Sequence, residues 1–182
     1  MMVAYGIGTH YLYDAECNCI VKEFPERKNI RLKNYDYSSA GYYFVTICVK
    51  DWHMMLGDVV GAASCRPQLT DIGSIVETEI STLSRTYANV EINKYVIMPN
   101  HVHMIVCIFN DVDVCGSGRQ NSAPTLSQII GQWEREVSIN VGFSLWQKSF
   151  HDHIIRSEAE YQRISQYIDE NPARWAEDEY YT

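Results

Sequence analysis

The sequence has no long apolar run. Nothing in its 182 residues approaches the roughly 18 uninterrupted apolar residues that a membrane-spanning helix needs. The opening stretch MMVAYGIGTHYLYDAECNC also lacks a basic flank ahead of an apolar segment. Both absences predict a cytoplasmic protein with no membrane partner. Positive charge is scarce too, with 15 Lys and Arg against 23 Asp and Glu and a formal net charge of −8. That argues against a chain coated in nucleic acid, because neutralising phosphates takes a basic footprint. A disulfide framework is equally unexpected. Of Cys17, Cys19, Cys48, Cys65, Cys107 and Cys115, Cys48 and Cys107 lie in apolar strand patterns, where a reduced buried thiol is the usual occupant. Cys17 and Cys19 form only a C-x-C, too little for a zinc site without partners.

What is present is enough for one compact domain. With 46% apolar and 12% aromatic residues, the chain can bury one core and is too short for two comfortable domains. The expected organisation is a single domain over 1–182, with an extension at 1–25 and an acidic tail at 173–182. DVCGSGRQNSAP, Asp113 to Pro124, reads as a flexible linker between two elements of that domain. The few positive charges are unevenly spread. ERKNIRLK holds Arg27, Lys28, Arg31 and Lys33 ahead of the first strong strand pattern, whereas the chain from His151 onward has three basic and eight acidic side chains.

YYFVTICV, Tyr42 to Val49, is β-branched and aromatic, as a central strand should be. Ile72, Ile75, Val76, Ile80 and Leu83 recur at three- and four-residue steps, predicting a helix over Asp71 to Tyr87. Glu91 to Met98 and His101 to Phe109 read as a hairpin hinged at Pro99-Asn100. Leu126, Ile129, Ile130, Trp133 and Val137 predict a second helix from Pro124 and Thr125 to about Asn140, and SFHDHIIR a short strand after it. Ser157 and Glu160 match a capping box, which starts a last helix at Glu158 that Pro172 limits. The order strand, helix, hairpin, helix, strand, helix points to an α+β fold. The expected form is a ferredoxin-like (RRM-like) antiparallel sheet with helices on one face and the other face open to a ligand.

The hairpin carries the first candidate chemistry. Side chains alternate along a strand, so His101 and His103 point to one face while Val102 and Met104 point to the other. Their place beside the turn predicts a two-pronged imidazole clamp at the sheet rim, where either histidine could be removed at little cost to the core. His151 and His153 have the same spacing with Asp152 between them, and spacing does not choose between the pairs. Either pair supplies two imidazoles, so a bound metal needs a third ligand. On the last helix Tyr167 and Asn171 lie one turn apart, with Arg163 a turn earlier and Tyr161, Ile164 and Ile168 on a buried stripe. A phenol and an amide would then face outward together. The amide oxygen can bind a hard cation, and the deprotonated phenol can attack phosphorus.

VIMPNHVHMIV resembles the histidine-apolar-histidine strand motif of the single-tyrosine HUH transposases, and YIDENP resembles the helix bearing their nucleophile. RLKNYDYSSAGYYFVTICV and HDHIIRSEAEYQRISQYIDENP are similar to the branch of REP-associated tyrosine transposases, so the resemblance spans about Arg27 to Pro172. It implies a metal-dependent, single-stranded DNA endonuclease and strand transferase that works through a 5′-phosphotyrosine. It implies Tyr167 as nucleophile, and His101, His103 and Asn171 as ligands of Mg2+ or Mn2+. It also implies hairpin-forming DNA as partner, a nucleoid-associated site of action, and either a monomer or a homodimer. By charge and location, Arg27, Lys28, Arg31, Lys33 and Arg156 are the candidate DNA contacts. His151, Asp152 and His153 match a segment of the relatives and carry no assigned catalytic role. The alternative is a catalytically silent, host-adopted module that only binds a DNA hairpin.

Overall fold

The computed structural model describes residues 11–13, 19–21, 31–32, 34–59, 66–109 and 124–177. Arg27, Lys28, Lys33, Cys17, Cys65, Cys115, the linker up to Ala123 and the tail beyond Glu177 lie outside the described residues. The chain divides into a unit of residues 1–30 and a unit of residues 31–182. In the first, β1 (Tyr11–Tyr13) runs antiparallel to β2 (Cys19–Val21).

The second unit begins with β3 (Gly41–Cys48), the short antiparallel pair β4 (Gly57–Asp58) and β5 (Gln68–Leu69), and α1 (Asp71–Thr86). It continues with β6 (Val90–Ile97), β7 (His101–Ile108), α2 (Leu126–Val141), β8 (His151–Ile155) and α3 (Glu158–Glu170). The main sheet has the order β6-β7-β3-β8, and each neighbouring pair is antiparallel. With α1 between β3 and β6 and α2 between β7 and β8, this is the expected α+β, ferredoxin-like arrangement.

Alternation sorts the sheet into two faces. Val45, Ile47, Val102, Met104, Val106 and Ile108 join one core with Val76, Ile80 and Leu83 of α1 and Ile129, Trp133 and Val137 of α2. Burying a large apolar side chain is worth roughly 1.5–3 kcal/mol, so this stripe holds α2 together despite the weak helix formers Gly131, Ser138 and Asn140. The opposite face is not left bare. Ile105 and Ile155 pack there with Ile164 and Ile168 of α3 and with Trp175, because the last helix has its own apolar stripe to bury. Only part of that face stays open, and this part holds the candidate site.

Local signals explain the ends of the elements. Thr70 caps α1 by accepting from the Gly73 amide at 3.1 Å. Thr125 and Gln128 form the full reciprocal box at the start of α2. At α3 the expected box is half made: Ser157 Oγ accepts from the Glu160 amide at 3.2 Å, but the Glu160 carboxylate accepts from the Arg156 amide at 2.8 Å. A nearby imidazole, His153, draws that carboxylate toward β8. The Pro99-Asn100 turn closes with Met98 N donating to His101 O at 2.8 Å. Its carbonyls are held from outside, since Val49 N donates to Asn100 O and Leu56 N to Pro99 O. Cys48 and Cys107 are buried and not disulfide bonded, as expected. Among the described residues no helix is long and apolar enough to cross a membrane.

Candidate active site

A cavity of about 690 Å³ opens where β3, β8 and α3 meet, and its lining includes Phe44, Thr46, His103, His151, Tyr167 and Asn171. Register builds its floor. Thr46 pairs with His103 of β7 on one side and with His151 of β8 on the other, so three neighbouring strands present these side chains in a row on one face. His101 and His103 follow from the same alternation, two residues apart on β7. Their Nε2 atoms stand 3.0 Å apart. Tyr167 Oη, 64 residues further along the chain, reaches to 3.2 Å from His103 Nε2. Phe44 stacks on the His103 ring at 5.2 Å and meets the Tyr167 ring edge-on at 6.1 Å, which holds both rings in place.

Each imidazole is gripped from behind. Asn100 Oδ1 lies 2.9 Å from His101 Nδ1 and accepts its proton, so His101 Nε2 carries a lone pair. Thr46 Oγ1 lies 2.8 Å from His103 Nδ1. Burial, together with the neighbouring His101, pushes the His103 pKa well below its ordinary value and keeps the ring neutral. Its one proton then has two homes. On Nε2 it bonds to His101. On Nδ1 it bonds to Thr46, whose hydroxyl serves equally as donor or acceptor, and both Nε2 lone pairs then face the same point. At 3.0 Å apart, the two nitrogens would be close enough to serve one divalent cation as joint ligands.

Among the described residues no group of three or more His, Cys, Asp and Glu side chains is assembled for a metal. A third protein ligand to a cation at the histidine pair would have to be of another residue type. Asn171 qualifies by chemistry and place, since its side chain carries an amide oxygen and lines the same cavity as His103 and Tyr167. The donor set of two imidazoles and one amide fits a divalent cation that accepts nitrogen and oxygen together.

The helix bearing Tyr167 is tied down at both edges. Lys94 of β6 donates to Ser165 at 2.8 Å and pairs with Asp169 at 2.5 Å. On the far side His153 of β8 bonds to Glu160 at 2.7 Å. The Glu160 carboxyl is held below the usual carboxylate range, first by the Arg156 amide and then by His153. These two ties fix the helix across the sheet, and with it the reach of the phenol.

Of the sequence-derived site residues, His101, His103, Tyr167 and Asn171 come together, with two corrections. His101 and His103 are 0% and 1% exposed, not rim residues of little packing value. The reason is α3 and the turn after it: Trp175 lies 5.8 Å from the His101 ring and closes that side. Asn171 is 3% exposed and does not look outward with Tyr167, which is 38% exposed. Arg163 points to solvent beside Glu160. Arg31 is engaged within the chain, 3.5 Å from Asp152 and over the Phe150 ring at 4.9 Å. Arg156 lines a separate cleft of about 270 Å³ with Tyr42 and Tyr161. The two histidine pairs differ in environment: His153 is committed to Glu160, whereas His101 and His103 face each other. Sequence reasoning missed Thr46 and Phe44. The alternation of YYFVTICV put them on one face, but only strand pairing put that face beside the histidines.

No family model matches the chain. An uncharacterized protein of Haemophilus influenzae is 35% identical over 170 residues, which cover 85% of this chain and 93% of that protein. Among solved structures, a REP-associated tyrosine transposase bound to a REP hairpin superposes with a TM-score of 0.56 at 20% identity, over 80% of this chain and 73% of that one. At that identity the likeness is one of fold.

Proposed function

We propose that this chain, which belongs to one family with the Haemophilus influenzae protein and has the fold of a REP-associated tyrosine transposase, cuts and rejoins single-stranded DNA through Tyr167. The observation that carries the reading is the approach of Tyr167 Oη to His103 Nε2 at 3.2 Å, beside the paired imidazoles. The solved neighbour is bound to a DNA hairpin, which makes hairpin-forming single strands the substrate class of choice.

In this reading Tyr167 Oη attacks the scissile phosphorus. An Oη–P bond forms, the P–O3′ bond breaks, and the 5′ phosphate stays on the enzyme while a 3′ hydroxyl is released. The phosphotyrosine keeps the energy of the broken bond, so the 3′ hydroxyl of another strand can reverse the step without a nucleoside triphosphate. His101, His103 and Asn171 would hold Mg2+ or Mn2+, which when bound supplies polarisation of the phosphate and neutralisation of its charge. Asn100 and Thr46 orient the two imidazoles from behind. Lys94 and Glu160 set the docking of α3, and Phe44 restricts the phenol ring. Positioning of this kind prepays part of the entropy of bringing the reacting atoms together.

The test is incubation of the full chain with hairpin-forming single-stranded DNA and Mn2+, followed by denaturing electrophoresis. A covalent protein–DNA adduct is expected from the wild type and is expected to vanish in Tyr167→Phe and in His103→Ala. DNA binding without any adduct from the wild type overturns this reading in favour of a silent hairpin-binding module, which the net charge of −8 does not itself favour.

A further inference from the structure

Displacement at phosphorus brings the attacking and leaving oxygens to opposite sides of the transferring group. The leaving O3′ is a poor leaving group as an alkoxide and departs readily once it is given a proton. If the phosphotyrosine reading holds, some residue of the cavity supplies that proton on the side away from Tyr167.

The titratable side chains lining the cavity are mostly committed. His103 faces Thr46, His101 and Tyr167. Asp152 is paired with Arg31 at 3.5 Å, and His153 with Glu160 at 2.7 Å. Glu170 accepts from Gln166 at 2.6 Å, and Arg174 lies between Glu170 and Glu177 at 3.9 and 3.2 Å. His151 differs from all of these. It is exposed into the cavity, and its imidazole has no hydrogen bond, ion pair or ring contact among the described residues.

Position adds direction. Tyr167 Oη sits against His103 on β7, whereas His151 stands on β8, on the other side of Thr46. Neighbouring strands are spaced about 4.8 Å apart, so β7 and β8 are separated by about 10 Å across the cavity floor. A phosphoryl group with an apical oxygen on each side fits between them. The oxygen nearer β7 is the phenolic one, and the oxygen nearer β8 is the leaving one. Imidazole is also the side chain best able both to give and to take a proton near neutrality, as a reaction run in two directions requires.

We propose that His151 is the proton donor and acceptor for the 3′ oxygen. During cleavage the imidazolium of His151 passes its proton to O3′ as the P–O3′ bond breaks, while the phenol proton of Tyr167 leaves to water in the open cavity. During joining the neutral imidazole of His151 takes the proton from the attacking 3′ hydroxyl, the P–O3′ bond forms, the Oη–P bond breaks, and water returns a proton to Tyr167. No oxidant, reductant or nucleotide enters either direction.

The experiment uses the full chain with Mn2+ and a pool of hairpin-forming single-stranded oligonucleotides. The oligonucleotide captured in the wild-type adduct is resynthesised with sulfur in place of the bridging 3′ oxygen at the cut, because a thiolate leaves without being protonated. His151→Gln is expected to slow adduct formation on the oxygen substrate by about 10²–10³-fold and to stay within about threefold of the wild type on the sulfur substrate. An equal loss on both substrates overturns the proposal and makes His151 a phosphate contact. Wild-type rates on the oxygen substrate overturn it as well. Absence of any wild-type adduct marks failure of the phosphotyrosine reading itself, and the proposal falls with it.

Discussion

His101 Nε2 and His103 Nε2 stand 3.0 Å apart with both side chains almost wholly buried, and Thr46 Oγ1 backs the second ring at 2.8 Å from its Nδ1. Two facing lone pairs at that distance repel each other unless a proton or a cation lies between them. The Thr46 hydroxyl can serve His103 Nδ1 as donor or acceptor, so under the proposed function the pair would be able to bind either to itself or to a metal.

Thr46→Val should therefore weaken Mn2+ binding about 10- to 100-fold, the usual cost of losing a group that orients a ligand. Thr46→Ser should restore it. The check is the rise in melting temperature with added Mn2+, expected in the wild type and Thr46→Ser and displaced to higher concentration in Thr46→Val. Equal Mn2+ responses in all three proteins would refute the role given to Thr46.

Removing a histidine should also cost stability, contrary to the expectation for a rim residue. His101 is fully buried against Trp175 and bonded to Asn100, so His101→Ala leaves both a cavity and a buried acceptor. The expected loss is about 2–4 kcal/mol, or roughly 5–12 °C in melting temperature for a chain of this size. Tyr167→Phe, at a position 38% exposed, should shift it by less than about 2 °C. Thermal unfolding followed by circular dichroism separates the two cases.

The buried carboxyl of Glu134 predicts a pH dependence. Desolvation outweighs the attraction of Arg31 and raises its pKa from 4.5 to about 7. A carboxyl raised on folding binds more protons in the native than in the unfolded chain, so stability falls as pH rises, here between about 4.5 and about 7. Glu134→Gln removes this titration. The variant should match the wild type near pH 4 and exceed it near pH 8 by on the order of 1–2 kcal/mol. Denaturant unfolding at the two pH values checks the sign, and a gain at acid pH would contradict it.

Two glycines should respond oppositely to alanine. A Cβ at Gly73 would fall 1.9 Å from the Leu56 carbonyl oxygen, where α1 presses on the segment leading into β4. Gly73→Ala should cost 3 kcal/mol or more. A Cβ at Gly131 meets nothing within 4 Å, and Gly131→Ala should stabilise α2 by up to about 1 kcal/mol. Paired urea titrations measure both.

The elements themselves were legible in the sequence because their causes are local. The stripe Leu126, Ile129, Ile130, Trp133, Val137 marked α2, and all five residues are buried. Pro99-Asn100 marked the turn, and Ser157 marked the start of α3. The capping box at α3 misled because Glu160 had a choice that local spacing does not contain, the Arg156 amide and His153. The burial of His101 and Asn171 was equally hidden, since what covers that region is α3 and Trp175, more than fifty residues beyond the histidines.

The sequence alone determined that two imidazoles share one face of a strand and that a tyrosine and an asparagine share one side of the terminal helix, because periods of 2 and 3.6 are properties of the backbone. Only the tertiary structure decided that Tyr167 reaches His103, that Thr46 lies between His103 and His151, and that His153 is spent on Glu160. Those relations depend on which strands become neighbours and in what register. That choice is made by burying the apolar faces of the whole domain at once, not by any short stretch of chain.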